Sequence, residues 1–201
     1  MNPDPAERTL FDHSNTSTRD FYKLITAAIV PRPIAWVSSR SADGVDNLAP
    51  FSFFSVSSTD PLIVQFTAVG GKHSADNAEA TGQFVINVAT ESMMHQVNAT
   101  SAGFDEDINE FEAVGVASAP ATVVDTLRVR DSPVAIECEL FQILRIGNSQ
   151  VVMGRVVAVT VDPAIAADDG HPDFNKLAPM ARLGRTEWGL PSEVIELERP
   201  K

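Results

Sequence analysis

The most constraining feature of this chain is a pair of long strand-like runs, Val134 to Ile146 and Val151 to Val161, joined by the turn sequence Gly147-Asn148-Ser149. In the first run Val134, Ile136, Cys138 and Leu140 fall on one face and Glu137 and Glu139 on the other, the period of two that marks a strand. Glycine and asparagine between two such runs are the chemistry of a hairpin turn. Cys138, the only cysteine, has no disulfide partner within the chain and lies on the apolar face, so a buried structural thiol is expected rather than a nucleophile.

Shorter strands fill the first half. Ile34 to Ser39 and Asn47 to Ser57 flank the turn Ser41-Ala42-Asp43-Gly44, the second of them interrupted near Pro50, and Pro61 to Thr67 and Phe84 to Ala89 follow. Helical spacing is brief. Thr18 is placed to cap a helix through Ala28 with Phe21, Leu24, Ile25 and Ala28 on one face, ended by Pro31 and Pro33. Ser74 to Thr81 and Glu91 to Thr100 read as two more short helices. Many strands at short spacing with few helices favour an antiparallel barrel over alternating βαβ units. The expected organisation is a polar arm over 1–17, one mainly β (α+β) domain over 18–162, and an extension over 163–201. Pro172, Pro179 and Pro191 break that extension into loops and short helices that pack on the barrel or on a partner subunit.

Charge narrows the function classes. With 15 Lys and Arg against 27 Asp and Glu, the net charge of −12 disfavours binding to a nucleic-acid backbone. No run approaches the ~18 apolar residues of a membrane span and the N-terminus lacks a secretion signal, so a cytoplasmic protein with no membrane partner is expected. His13, His73, His95 and His171 stand apart from any second ligand, and no metal is expected. Asp105, Asp107 and Asn109 imitate a calcium loop, but Glu110 stands where its glycine belongs. There is no serine elbow, Walker loop or dinucleotide fingerprint.

Three segments stand out. Lys72 is the only lysine or arginine between Arg40 and Arg128, an interval with twelve acidic residues. Gly70-Gly71-Lys72-His73-Ser74 joins mobile glycines, a point charge and a hydroxyl at a helix start, which suits an anion and equally suits a serine cap beside a solvated lysine. In Val30-Pro31-Arg32-Pro33, two prolines hold Arg32 extended and aim its guanidinium, or simply stop a helix. In Asn47-Leu48-Ala49-Pro50-Phe51-Ser52-Phe53-Phe54, Pro50 leaves backbone groups unpaired for the polar edge of a flat heterocycle. Core packing alone explains the phenylalanines but not Asn47 and Ser52.

Taken in order, VPRPIAWVSS, the DG turn, NLAPFSFF, DPLIVQF, the GK.S..N stretch and TGQFVINV resemble the flavin reductase-like family of FMN-binding split barrels. The likeness is strong from Phe21 to Val88 and continues through the later hairpin to Met180–Arg185. It implies an antiparallel Greek-key split β-barrel with a few short peripheral helices. It places Arg32, Ser38 or Ser39, Lys72 and Ser74 around the FMN phosphate and ribityl chain, with Asn77 closing that site. Asn47, Ala49, Pro50, Phe51 and Ser52 are implied along the isoalloxazine edge, with Trp36 packed nearby. Family members often read K-D-T where this chain has Lys72-His73-Ser74, and R-x-G-G before a tyrosine where it has Arg182-Leu183-Gly184-Arg185 before Trp188. Arg182, Arg185 and Trp188 thus form the expected substrate-side wall.

The implied activity is an NAD(P)H:flavin oxidoreductase in which hydride passes from NADH or NADPH to FMN and no side chain acts as acid or base. Reduced flavin in such families often feeds a separate monooxygenase. The alternatives are an enzyme that retains FMN and acts on another small molecule, and a flavin-binding electron carrier. A homodimer is implied by the resemblance.

Overall fold

A computed structural model describes residues 8–200, so the first seven residues of the expected arm lie outside the described residues. Helix α1 (Thr18–Ala28) is capped by Ser17 rather than Thr18, the Ser17 hydroxyl accepting from the Asp20 N–H. Its anticipated apolar face is not buried within the chain: Leu24 and Ile25 are exposed, and Thr26 is the buried residue of the helix.

After the two-residue strand β1 (Arg32–Pro33) come β2 (Ala35–Arg40), β3 (Asp46–Phe51), β4 (Phe54–Thr59) and β5 (Leu62–Val69). Then follow α2 (His73–Thr81), β6 (Gln83–Val88), a 3-10 turn at Glu91–Met93, α3 (Met94–Ala99) and α4 (Glu110–Val114). The remainder holds β7 (Ser118–Pro120), β8 (Leu127–Val129), β9 (Val134–Ile146), β10 (Ser149–Val161), α5 (Phe174–Leu177), β11 (Ala181–Arg182) and β12 (Trp188–Gly189). The central hairpin is β9–β10. Ser149 already pairs with Ile146, so the turn is the two residues Gly147-Asn148, and Gly147 takes φ 57, a conformation a side chain resists.

Seven strands form one antiparallel sheet in the order β3-β2-β6-β9-β10-β5-β4. β3 and β4 are consecutive in sequence yet occupy opposite edges, which the chain accomplishes only if the sheet curls upon itself. The break between them falls at Ser52-Phe53 rather than at Pro50, and the Thr67 N–H donates to the Phe53 carbonyl at 2.9 Å across the junction. Pro50 instead sits inside β3 opposite Trp36. Because β3 is an edge, the missing N–H of proline costs no ladder bond.

The barrel interior is filled by Phe51, Phe66 and Phe84, with ring centroids 4.7 and 5.4 Å apart, together with Val152 and Cys138. Ala75 and Ala78 of α2 close one end. Gly154 is required here: a Cβ at this position would overlap the Phe84 ring and stand 2.8 Å from Cys138 Cβ. Burial pushes the Cys138 thiol up to about 12, which keeps it protonated and inert, as its apolar face suggested. A second core on the other face of β2 and β3 joins Ile34, Trp36 and Leu48 to Val97 of α3 and Phe111 of α4.

Glu137 departs from the simple alternation. It lies on the face opposite Cys138, yet it is fully buried, because the segment Ala121–Asp125 folds over it. Its carboxylate accepts N–H groups from Thr122 at 2.8 Å, Val123 at 2.6 Å and Val124 at 3.1 Å. Burial by itself raises the pKa of this carboxyl, but the backbone donors outweigh burial and hold it below the usual glutamate value. Its contribution to stability is therefore complete above the ordinary glutamate pKa and is lost as pH falls through the depressed native value. In urea unfolding at neutral pH, Glu137→Gln should lose about 1–3 kcal/mol, and the gap to the unaltered protein should narrow below about pH 4. A gap independent of pH would show that the charge does not organise this loop.

Candidate functional site

Curling of the sheet brings the free edge of β3 beside the start of α2 and the loop after α3. Together they line an open groove with a cavity volume of about 190 Å³. Asn47, Ala49, Pro50 and Phe51 form one wall, Gly71 to Ser74 the second, and Thr100 to Phe104 with Glu110 the third. Lys72 occupies the N-cap position of α2 without a side-chain capping bond and is exposed at the groove.

The polar floor is one connected chain. Glu110, 3% exposed at the start of α4, accepts from Asn47 Nδ2 at 2.6 Å and from the Leu48 N–H at 2.9 Å. Asn47 Oδ1 in turn accepts from Ser74 Oγ at 2.6 Å and Ser39 Oγ at 3.4 Å, and Asn77 Nδ2 donates to Ser39 Oγ at 3.3 Å. Burial pushes the Glu110 carboxyl above the usual glutamate range, partly offset by the Leu48 N–H, nearby His73 and Asn47. Since the Leu48 N–H points outward from β3, residue 50 faces the same way, and there the proline has no N–H. Around Pro50 the free polar groups of this edge are the Leu48 and Pro50 carbonyls, which can accept from an N–H of a flat heterocycle.

A second lobe of about 150 Å³ adjoins the first through the shared residues Pro50 and Ser101, and adds Ile34, Ser52, Arg182 and Trp188. The C-terminal extension builds it. β11 pairs with β1, setting Arg182 opposite Arg32, and β12 pairs with β11, which stacks the Arg182 guanidinium on the Trp188 ring 4.6 Å from its centroid.

A flavin reductase like domain matches residues 27–173, nearly three quarters of the chain. The chain belongs to the flavin reductase-like family of FMN-binding split barrels. This flavin reductase-like protein is 31% identical to Bacillus subtilis YwrF, with 95% of the chain and 98% of that protein covered. It is likewise 31% identical to a protein of Aquifex aeolicus over 81% of the chain and 86% of that protein. Among solved structures, it superposes on nitrilotriacetate monooxygenase component B from Bacillus cereus with a TM-score of 0.91 at 26% identity, covering 96% and 100% of the two chains. The 2-nitrobenzoate 2-nitroreductase NbaA of Pseudomonas fluorescens gives a TM-score of 0.88 at 29% identity, covering 96% of each chain.

In this flavin reductase-like chain the structure brings together Asn47, Ala49, Pro50, Phe51, Lys72 and Ser74 on the first lobe, with Ser39 and Asn77 behind them. Ser52, Arg182 and Trp188 lie on the second lobe. It takes Ser38 and Arg32 away from the groove and fixes the setting of Trp36, Arg185 and Ser74. Ser38 lies on the opposite face of β2 from Ser39, and its hydroxyl donates to the Leu127 carbonyl at 2.6 Å, so it does not reach the groove. Trp36 is fully buried behind the wall, with Nε1 bonded to Thr100 Oγ1 at 2.9 Å. Arg185 is at a turn with φ 54, and its carbonyl accepts from Arg182 Nη2 at 3.0 Å. Ser74 is not a helix cap, because its hydroxyl is spent on Asn47.

The largest correction concerns Arg32. Its guanidinium is buried, donating to the carbonyls of Thr26, of Ile29 at 2.8 Å and of Leu183 at 2.8 Å, with Nε 3.5 Å from Ser52 Oγ. The prolines do aim it, but at the end of α1 and at the C-terminal extension. Burial, with Arg182 as a like-charged neighbour, lowers its pKa, while Tyr22 acts in the opposite sense. Glu110 and the Thr100–Phe104 loop were not anticipated. Glu110 follows the N-cap Asn109, where an acidic residue is ordinary helix-start chemistry, so no local signal marked it.

Arg32 therefore fastens the extension that carries Arg182 and Trp188. Arg32→Ala should lower stability by about 2–3 kcal/mol and speed tryptic cleavage after Arg182 and Arg185, read by mass spectrometry. An unchanged cleavage pattern would show that the extension holds without this clamp.

Proposed function

We propose that the two-lobed groove binds FMN and that the protein uses NADH or NADPH to reduce it. What supports this most is the groove itself: a lone cation beside a helix start at one end, free carbonyls on the β3 edge along the middle, and a separate lobe at the other end. Lys72 and the N–H groups at the start of α2 serve the phosphate, and the Leu48 and Pro50 carbonyls of β3 serve the ring. When bound, FMN supplies the two-electron acceptor for a hydride. The residues of the chain bind, orient and exclude water, and the site calls for no acid or base in hydride transfer.

The second lobe receives the nicotinamide or another flat substrate. The resemblance to a monooxygenase component B favours release of reduced flavin to a separate oxygenase. A second reading, retained FMN acting on another small molecule, draws support from the cationic Arg182–Trp188 wall and from the likeness to a nitroreductase. Recording the visible spectrum of the purified protein and then NADH and NADPH oxidation with and without added FMN separates the two. Turnover that depends on added FMN is the expected result. A tightly held yellow flavin that neither nicotinamide reduces would overturn the reductase reading, and no flavin binding at all would overturn the site.

The partner most consistent with the surface is a second copy of this chain. Tyr22, Ile25 and Ile29 of the α1 region are 55%, 50% and 61% exposed, an apolar surface that a soluble monomer rarely leaves to water. Light scattering in line with gel filtration should give twice the chain mass of 21.6 kDa. Among the described residues no helix is long and apolar enough to cross a membrane.

A further inference from the structure

The second lobe gathers positive charge that the rest of the chain leaves unanswered. The pairing of β1 with β11 sets Arg32 and Arg182 directly opposite each other, a position in which like charges repel. The chain has 27 acidic residues against 15 Lys and Arg, and Arg40, Arg130, Arg145 and Arg155 each pair with a carboxylate. Yet among the described residues no carboxylate lies within ion-pairing distance of Arg32 or Arg182, and none lines the lobe. Arg32 spends its donors on backbone carbonyls. Arg182 does not. The Trp188 ring covers one face of its guanidinium, and Nη2 donates to the Arg185 carbonyl at 3.0 Å, which together hold the group in place. Nε and Nη1 meet no acceptor among the described residues, so most of a planar donor fork stays available at the lobe.

The rest of the lining suits the same occupant. Ser52, whose oxygen lies 3.5 Å from Arg32 Nε, and the Asn98 side chain keep hydrogens that no acceptor among the described residues takes. Ile34, Pro50 and the Trp188 ring supply flat apolar surface beside them. Resting on the reading of this lobe as the substrate side, we propose that Arg182 determines specificity there by selecting a flat ring that carries a carboxylate over its neutral counterpart. A carboxylate matches the guanidinium fork in plane and spacing, and its charge offsets the repulsion between Arg182 and Arg32. Arg182 touches the substrate in this assignment, and Trp188 keeps the guanidinium flat against its ring.

The test titrates benzoate and benzamide, equal in shape and different in charge, into the FMN-loaded protein and into the protein without FMN, read by tryptophan fluorescence. Trp36 and Trp188 are the two tryptophans of the chain, and of these Trp188 lines the lobe. The unaltered protein should bind benzoate about five- to tenfold more tightly than benzamide, the effect of a charge-assisted hydrogen bond reduced by the solvent that reaches the lobe. Arg182→Met should erase that preference and leave benzamide binding unchanged. Equal binding of the two probes by the unaltered protein would overturn the proposal without recourse to any variant. Equal weakening of both probes in Arg182→Met, together with a lower melting temperature, would overturn it in favour of a purely structural arginine. Should Arg182→Met keep the preference for benzoate and instead raise KM for NADPH more than for NADH, the anion met by Arg182 is a phosphate of the dinucleotide and the carboxylate assignment falls. A preference for benzoate in a protein that binds no FMN would overturn the FMN reading and leave the anion site standing, whereas FMN binding without that preference would do the reverse.

Discussion

The structure depends on one topological constraint: β3 and β4 follow each other directly in sequence, yet they are the two outer strands of the same seven-stranded sheet. A flat sheet of seven strands would place them some 28 Å apart, at about 4.7 Å per strand, too far for the two intervening residues Ser52 and Phe53 to span. The sheet must curl until its edges meet. That closure stacks Phe51 on Phe66 inside and leaves the outer edge of β3 open to the start of α2 on one side and to α4 on the other. The groove is a consequence of closing a barrel whose closing edge is incompletely paired. Pro50 keeps that edge from recruiting another strand, and Glu110 occupies the outward N–H that precedes it.

Three buried charges organise the segments around the barrel, and in each case neutral amide or carbonyl groups meet the charge rather than a counter-ion. Glu137 collects three N–H groups and holds the Ala121–Asp125 loop over the sheet. Arg32 collects three carbonyls and ties the end of α1 to the C-terminal extension. Glu110 collects an N–H and an amide and ties α4 to β3. An ion paired to backbone dipoles fixes one geometry, because losing that geometry strands a buried charge. In a chain of net charge −12, the two carboxylates that matter most to architecture are thus ones removed from the surface.

Much of the fold was legible. The β9–β10 hairpin and the apolar setting of Cys138 follow from periodicity, whereas the stretch read as one strand from Asn47 to Ser57 is two strands on opposite edges, and α4, β7 and β8 were too short to read. The groove was legible in part: Asn47, Ala49, Pro50, Phe51, Lys72 and Ser74 do converge. Arg32, Ser38 and Trp36 were unusual in sequence for reasons that proved architectural. A charged or hydroxyl side chain flanked by strand residues looks the same whether it meets a ligand or a carbonyl from another part of the chain. Within the C-terminal extension, read as loops and short helices, the two-residue strands β11 and β12 have no periodicity to read and exist only because β1 is there to pair with them.

The sequence by itself determined the class of the protein: an antiparallel barrel, and the segment from Pro31 to Ser52 with Lys72 as the marks of a flavin-binding family. Tertiary structure alone decided which polar groups face the ligand and in which direction their protons point. The physical reason is separation. Asn47 and Glu110 are 63 residues apart and Arg32 and Leu183 are 151 apart, and a hydrogen bond has no local signature in either partner. Alternation along β2 assigns Ser38 and Ser39 to opposite faces, but only the curl of the sheet and the arrival of α2 decide which of those faces carries the site.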